Sequence, residues 1–352
     1  MSAFAGLRNI ILIGTLFGFH GLLNRSLLID GVNEMYIVTL RVSIVTIIIS
    51  LYCLKEFLSN ITLDFFLKGS LSGILAIFIP GWAFIYALKY ISSGLQSIFI
   101  STIPLFTVFW VFLFYKDEKI TRLKISSVIL GFSGLVILFL SGSTGLLNEG
   151  NLITGGLFAL LGVQGLALSN ITNKKHLQYI PSKTYLLTQW FVGSVLSLIL
   201  FFSLDGKFES ITIFETSKLL GLVFIDIFNY SLFLYTIKRL SATFTTLVDY
   251  VVPIVGILVG YIFLNEIVDS VFFITLILIY NKTKLKDFKG FLFGFFLMFL
   301  FVVRFIVEYV KESQGGLEEK LGIFSTGQWL SIPFILIGIG LMIYSYISIE
   351  KK

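Results

Sequence analysis

The amino-acid sequence predicts an all-α polytopic membrane protein: two inverted five-helix repeats followed by two extra C-terminal transmembrane helices, about 12 spans in total. Three observations lead there. Of the 352 residues, 57% are hydrophobic and only 13% charged. That is about half the charged fraction of a soluble domain, so lipid must be the solvent for most of the chain. Apolar runs of the roughly 20 residues that cross a bilayer recur from end to end. A stretch in the first half also returns, without a gap, in the second.

Taken in order, the first run, Leu7–Leu23, carries His20, with Asn24 one turn further on. Met35–Leu54 carries Arg41, and Gly69–Leu88 carries Trp82 and Tyr86. Leu95–Tyr115 contains Pro104, and Ile125–Leu140 completes a first group of five. Leu152–Thr172 holds Gln164 and Thr184–Leu204 holds Gln189. Leu219–Ile237 places Asp226, Asn229 and Tyr230 at i, i+3 and i+4, on one helix face. Thr243–Leu264 carries Asp249 one turn before Pro253, which frees a backbone carbonyl and bends the helix. Val268–Tyr280 is the shortest run; Gly290–Val310 and Trp329–Ile347 end the series.

A charge inside a bilayer costs about 2.5–3.5 kcal/mol on insertion scales, so each one needs a reason. The candidate substrate-binding residues are therefore Asp226, Asn229, Tyr230, Asp249, Arg41, His20, Gln164 and Trp82. Together they would line a cavity of mixed polarity, suited to a small zwitterionic or polar solute. Blander readings stay open. The aspartates could bond across helices for packing alone, Arg41 could snorkel to the nearer surface, and Trp82 could be packing. His20 reads as a satisfied cavity residue rather than a proton relay.

The remaining composition excludes several classes. One cysteine, Cys53, allows neither a disulfide framework nor a thiolate cluster. His20 and His176 lie far apart, so no metal and no cofactor is expected. There is no GxxxxGK[ST] run for ATP-driven pumping. With the N-terminus in the cytoplasm, loop Lys and Arg favour that side about three to one, which puts both termini there. The net charge of +6 then reflects loops facing an anionic leaflet of a bacterial inner membrane rather than nucleic acid. The expected partners are a small-molecule solute and membrane lipids, with a homodimer left open.

The internal repeat sets YALKYISSGLQSIFISTIP (86–104) against YTIKRLSATFTTLVDYVVP (235–253). Tyr86 meets Tyr235, Lys89 meets Lys238, Ser92 meets Ser241, Pro104 meets Pro253 and, further on, Asp117 meets Glu266. FGFHG (17–21) faces LGVQG (161–165), with His20 against Gln164. Five helices per copy is an odd number, so the second copy enters the membrane from the other side, the plan of many secondary transporters.

On these blocks, together with Arg41 early in the second span and GFSGLVILF in the fifth, residues 1 to about 267 resemble the drug/metabolite transporter superfamily in its EamA-type branch. The resemblance implies repeats at 1–142 and 151–267, export of amino acids or other metabolites, and a central cavity between the repeats. Residues 268–352 resemble something else. YNKTKLKDFKGFLFGFFLMFLFVVRFIVEYVKESQ and FSTGQWLSIPFILIGIGLMI look like the C-terminal end of prolipoprotein diacylglyceryl transferase. That enzyme family moves diacylglycerol from phosphatidylglycerol to a lipoprotein cysteine and carries an Arg-x-x-x-Glu-x-x-Arg pattern. Here those places hold Arg304, Glu308 and Lys311, a remnant of a lipid-binding site. Lysine keeps the charge but loses the fork that fits a phosphate. The histidine-glycine-glycine and arginine-glycine-asparagine stretches of that family are absent, so no enzyme activity is expected and the tail reads as a fusion with its seam near Asn265–Ser270.

Overall fold

The computed structural model describes residues 3–114, 133–147, 150–239, 248–269 and 326–350, together with 271, 272, 275 and 298. Every regular element among them is helical. The helices are α1 (Ala3–Ile29), α2 (Glu34–Asn60), α3 (Leu63–Gly73), α4 (Ile79–Ala87), α5 (Ser93–Ile100), α6 (Ile103–Phe114), α7 (Leu152–His176), α8 (Ser182–Ser203), α9 (Ile213–Arg239), α10 (Val248–Leu264) and α11 (Thr326–Glu350). Among the described residues, seven helical stretches are long and apolar enough to cross a membrane, and Val251–Leu264 and Ser331–Tyr344 are shorter apolar helices. Most of the expected span at Val268–Tyr280, and all of Gly290–Val310 but residue 298, lie outside the described residues.

Where helix ends differ from the apolar runs, caps explain the difference. The Asn33 side chain accepts from Met35 N at 2.9 Å and starts α2, and Thr62 Oγ1 accepts from Phe65 N at 3.2 Å and starts α3. These caps satisfy free N–H groups and carry the helices past the hydrocarbon into interfacial sequence. Proline shapes the interiors. The third span widens to a π-turn at Ile74–Phe78 just before Pro80, whose ring has no N–H and crowds the carbonyl four residues back. The fourth span, read from sequence as one run, is broken. Helix α5 ends at Ile100, four residues before Pro104, Ser101 and Thr102 form a turn, and α6 starts anew. Pro253, by contrast, stays inside α10.

The chain divides into two compact units, Met1–Asn281 and Lys282–Lys352. In the first, α1 packs on α10 and α9, α2 on α8 and α9, α4 on α7, and α5 on α10. Gly14 and Gly18 make the α1–α10 contact close: a Cβ at either would stand 2.5 Å from the Cβ of Val251 or Val255. Small residues at such crossings let helices gain dispersion contact where lipid offers no hydrophobic driving force. Large apolar side chains such as Ile47, Leu51, Leu157, Ile199 and Phe224 point outward, as a lipid-facing surface requires. In the second unit, α11 likewise exposes Leu336, Ile337 and Ile343.

Candidate functional site

Three helices bring a charged cluster together inside the first unit. Helix α1 supplies His20, α2 supplies Arg41 and α9 supplies Asp226. Arg41 and Asp226 are only 5% and 8% exposed, which rules out the snorkelling alternative for Arg41. Arg41 Nε lies 3.3 Å from Asp226 Oδ2, and His20 Nε2 lies 3.3 Å from Asp226 Oδ1. Arg41 Nη1 approaches His20 Nε2 at 2.6 Å. Neither Arg41 Nε nor Asp226 Oδ2 has an aligned hydrogen bond, so the pair is held by charge and proximity, with capacity to spare on both sides.

The imidazole sets the logic of the cluster. With Nε2 accepting from Arg41, the ring is neutral and its proton sits on Nδ1. Asn24 stands 3.1 Å from Nδ1 through its amide group, and its Oδ1 has no partner. Asn24 Nδ2 also donates to His20 O at 2.9 Å, a bond that turning the amide would break. A proton added at Nε2 would convert the ring from an acceptor for Arg41 into a donor to Asp226. The arrangement can therefore hold an anionic group at Arg41, a cationic group at Asp226, or trade a proton at His20.

The other sequence candidates fall into three places. Asn229 and Tyr230 continue the Asp226 face of α9. Asn229 Nδ2 donates to Ile13 O at 3.3 Å, while Asn229 Oδ1 is buried without a partner and the Tyr230 hydroxyl turns toward Asn173 and Gln189. Asp249, half-buried near the start of α10, forms no ion pair with Arg41. Trp82 and Gln164 are engaged elsewhere: Trp82 Nε1 donates to Ser197 Oγ at 3.1 Å, and Gln164 Oε1 accepts from Trp110 Nε1 at 2.7 Å. Trp82 also stacks on Tyr86, and Tyr86 on Phe158. Arg304, Glu308 and Lys311 lie outside the described residues.

Sequence reading missed two groups. One is the buried set Ser72, Asn173, Tyr185 and Trp190, whose ordinary spacing gave no signal. The other is the role of Glu266. Its carboxylate accepts from Ser93 N at 2.7 Å, Ser93 Oγ at 2.9 Å and Gly94 N at 3.0 Å, capping the free N-terminus of α5. Burial pushes its pKa above the ordinary glutamate range, against those hydrogen bonds and the nearby Arg25. The repeat alignment had singled Glu266 out without saying why.

The model of the EamA-like transporter family matches residues 4–140 and 153–281. The chain belongs to this family. A solved crystal structure shares the fold of the EamA-like chain, with a TM-score of 0.51 at 15% identity, over 76% of this chain and 94% of that one. A prolipoprotein diacylglyceryl transferase model matches residues 260–344. Within that region the chain is 48% identical over 73 residues to the phosphatidylglycerol–prolipoprotein diacylglyceryl transferase of Tolumonas auensis, covering 21% of this chain and 28% of that enzyme. It is 39% identical over 74 residues to the enzyme of Bacteroides fragilis, covering 26% of it. The chain thus spans about a quarter of the length of these curated relatives.

Proposed function

We propose that this EamA-like protein is a secondary carrier that moves a small zwitterionic or polar metabolite, an amino acid or a relative of one, by alternating access. The observation that carries the reading is the buried Arg41–His20–Asp226 cluster, built from three helices in the unit that matches the family. Two opposite charges with unfilled hydrogen-bonding capacity suit a zwitterion, whose carboxylate would take Arg41 and whose ammonium would take Asp226. The contacts support an inverted repeat, since α1 packs on α10 as α7 packs on α4 to α6. Asp249, on the cavity side of Pro253 in this reading, is a secondary candidate for cation or proton contact. The protein is placed in the bacterial inner membrane, with both termini cytoplasmic. Reporter fusions at Lys352 and within residues 143–150 should report opposite sides.

The test is solute counterflow in proteoliposomes with a panel of neutral amino acids. Asp226→Asn keeps the shape and removes the charge, and exchange should fall at least tenfold. Wild-type exchange rates in both Asp226→Asn and Asp249→Asn would overturn the site. The tail favours a second reading, a transferase-related protein. The match covers only about a quarter of the enzyme, so we read residues from about 268 as a passenger without transferase activity. Complementation of a strain depleted of that enzyme should fail, and rescue dependent on Arg304 would make the tail the working half.

A further inference from the structure

A cation without an ion pair stands at one end of the bundle. Helix α1 has 27 residues and reaches about 40 Å at about 1.5 Å per residue, against a hydrocarbon core about 30 Å thick. Its last turns therefore stand in the interfacial layer, where phospholipid phosphates lie. Arg25 is in these turns. Its Nη1 donates to Leu88 O just past the end of α4, while its Nε is buried without a partner. The neighbouring cations are matched: Lys89 holds Glu34 and Lys218 holds Asp30. Among the described residues Arg25 is in no ion pair. Glu266 acts on it through space, but the Glu266 oxygens are taken up by Ser93 N, Ser93 Oγ and Gly94 N.

Two cavities meet at this side chain. One is a cleft of about 350 Å³ that Arg25 shares with Glu34, Lys89 and Glu209. The other, of about 160 Å³, is walled by Ile29, Leu146, Leu147 and Leu264, with Arg25 and Glu266 as its charged members. Backbone bonds pin its walls: Ser92 N donates to Thr144 O and Ile267 N to Gly145 O, each at 2.9 Å. Ile29 and Leu147 are 58% and 70% exposed. Apolar side chains thus flank a guanidinium whose Nε side is unspent. That edge of an arginine meets a phosphate through parallel, charge-assisted N–H bonds. A soluble anion would use the guanidinium alone and gain nothing from the apolar rim. A phosphate that carries acyl chains engages both.

We propose that Arg25 and the cavity walled by Ile29, Leu147 and Leu264 form a site for one anionic phospholipid, with its phosphate on Arg25 and the start of an acyl chain along Ile29 and Leu147. Bound there, the lipid ties the ends of α1 and α10 to the loop that carries Leu147. The site stands apart from the carrier reading and does not depend on which solute the bundle moves.

Native mass spectrometry tests it on the full-length protein, stripped of lipid in detergent and titrated with dioleoyl phosphatidate. The wild type should bind one phosphatidate about tenfold more tightly than dioleoyl phosphatidylcholine, whose tethered cation cancels the charge that Arg25 reads. Arg25→Gln should erase that preference. Lys89→Gln removes a cation from the same face and should leave it. Leu147→Asp, at an exposed position outside the core, should weaken phosphatidate about fivefold by spoiling the apolar rim. Millimolar glycerol 3-phosphate, the same phosphate without chains, should not displace the lipid. A preference that survives Arg25→Gln, or that falls equally with Lys89→Gln, overturns the site. Displacement by glycerol 3-phosphate would make it a site for a soluble anion, and the proposal falls. Should Arg25→Gln fail to fold, Leu147→Asp decides alone, and wild-type phosphatidate binding in that variant overturns the lipid.

Discussion

On the membrane face that carries residues 30–33 and 88–92, partly buried charges hold the helix ends together beside close glycine contacts such as Gly150 on Tyr90 O; on the opposite face the glycine contacts remain and the ion pairs move to the exposed margin. On the first, Lys89 Nζ bonds Glu34 Oε1 at 2.7 Å, Lys218 pairs with Asp30, Asn33 N donates to Glu209 at 3.0 Å, and Glu266 caps α5. A cleft of about 350 Å³ on this face is lined by Arg25, Asn33, Glu34, Lys89 and Glu209 among others. On the other face α3 meets α8 almost backbone to backbone. A Cβ on Gly73 would stand 2.6 Å from Gln189 O, and one on Gly69 2.7 Å from Thr188. Its ion pairs, Lys68–Asp64 at 2.6 Å and Lys183–Glu56 at 3.6 Å, sit at the exposed margin. The difference teaches that the two ends of one helical bundle need not be held by one chemistry. One end answers to pH and salt as well as to side-chain volume, the other chiefly to side-chain volume.

The largest expected effect lies between the two faces. Removing one member of a buried ion pair leaves the other uncompensated and costs about 3–5 kcal/mol. Asp226→Ala should therefore lower thermal stability in detergent far more than any change at either face, whereas Arg41→Met with Asp226→Leu should recover most of it without restoring exchange. If Asp226→Ala melts with the wild type, the pair is not held as tightly as its burial requires.

How much of this was legible in the sequence follows from the same contrast. Apolar runs pointed to the seven long membrane-length helices among the described residues, because bilayer thickness fixes their length. The break before Pro104 was not legible, since that run read as one span and Pro253, equally placed in its repeat, stays inside α10. Asp226, Arg41 and His20 were each conspicuous as costly polar groups, but their meeting was not, since it depends on the packing of α1, α2 and α9. Trp82 and Gln164 looked equivalent to them and were drawn instead to Ser197 and Trp110, partners on other helices that no local pattern reveals. The glycine seam between α3 and α8 was invisible for the same reason: a glycine declares a close approach only when its neighbour is known.

The next effect probes the glycine face. Gly73→Val forces a branched side chain into the Gln189 backbone, and overpacking of this kind costs about 1–3 kcal/mol. The α3–α8 contact should part, raising the access of a thiol reagent to Ser72→Cys from that face. Unchanged access with unchanged stability would show that the seam yields without opening.

At the charged face single pairs matter less. Lys89 is 39% exposed, and pairs of this kind contribute about 0.2–1 kcal/mol. Glu34→Gln should shift the melting temperature slightly, and the shift should shrink in 1 M salt, where screening acts over about 3 Å. A shift that persists in high salt would mean that the pair works through packing.

The smallest effect at any one pH belongs to Glu266, and its signature is a slope. Burial raises the pKa of this carboxyl in the folded protein. The folded state therefore holds the proton more tightly than the unfolded chain does. Stability from this group is fully present below the ordinary glutamate range and is lost as pH rises through the raised folded value. Glu266→Gln keeps one oxygen to accept from Ser93 or Gly94 and cannot ionise. Melting temperatures of the two proteins, followed in detergent from pH 4 to pH 8, should converge at the acid end, with the wild type falling below the glutamine variant as pH rises. Parallel curves would mean that the three hydrogen bonds from Ser93 and Gly94 offset burial in full. A wild type that gains on the variant with rising pH would mean that they outweigh it, and the pH-sensitive cap on this face would then be locked rather than released by a neutral medium.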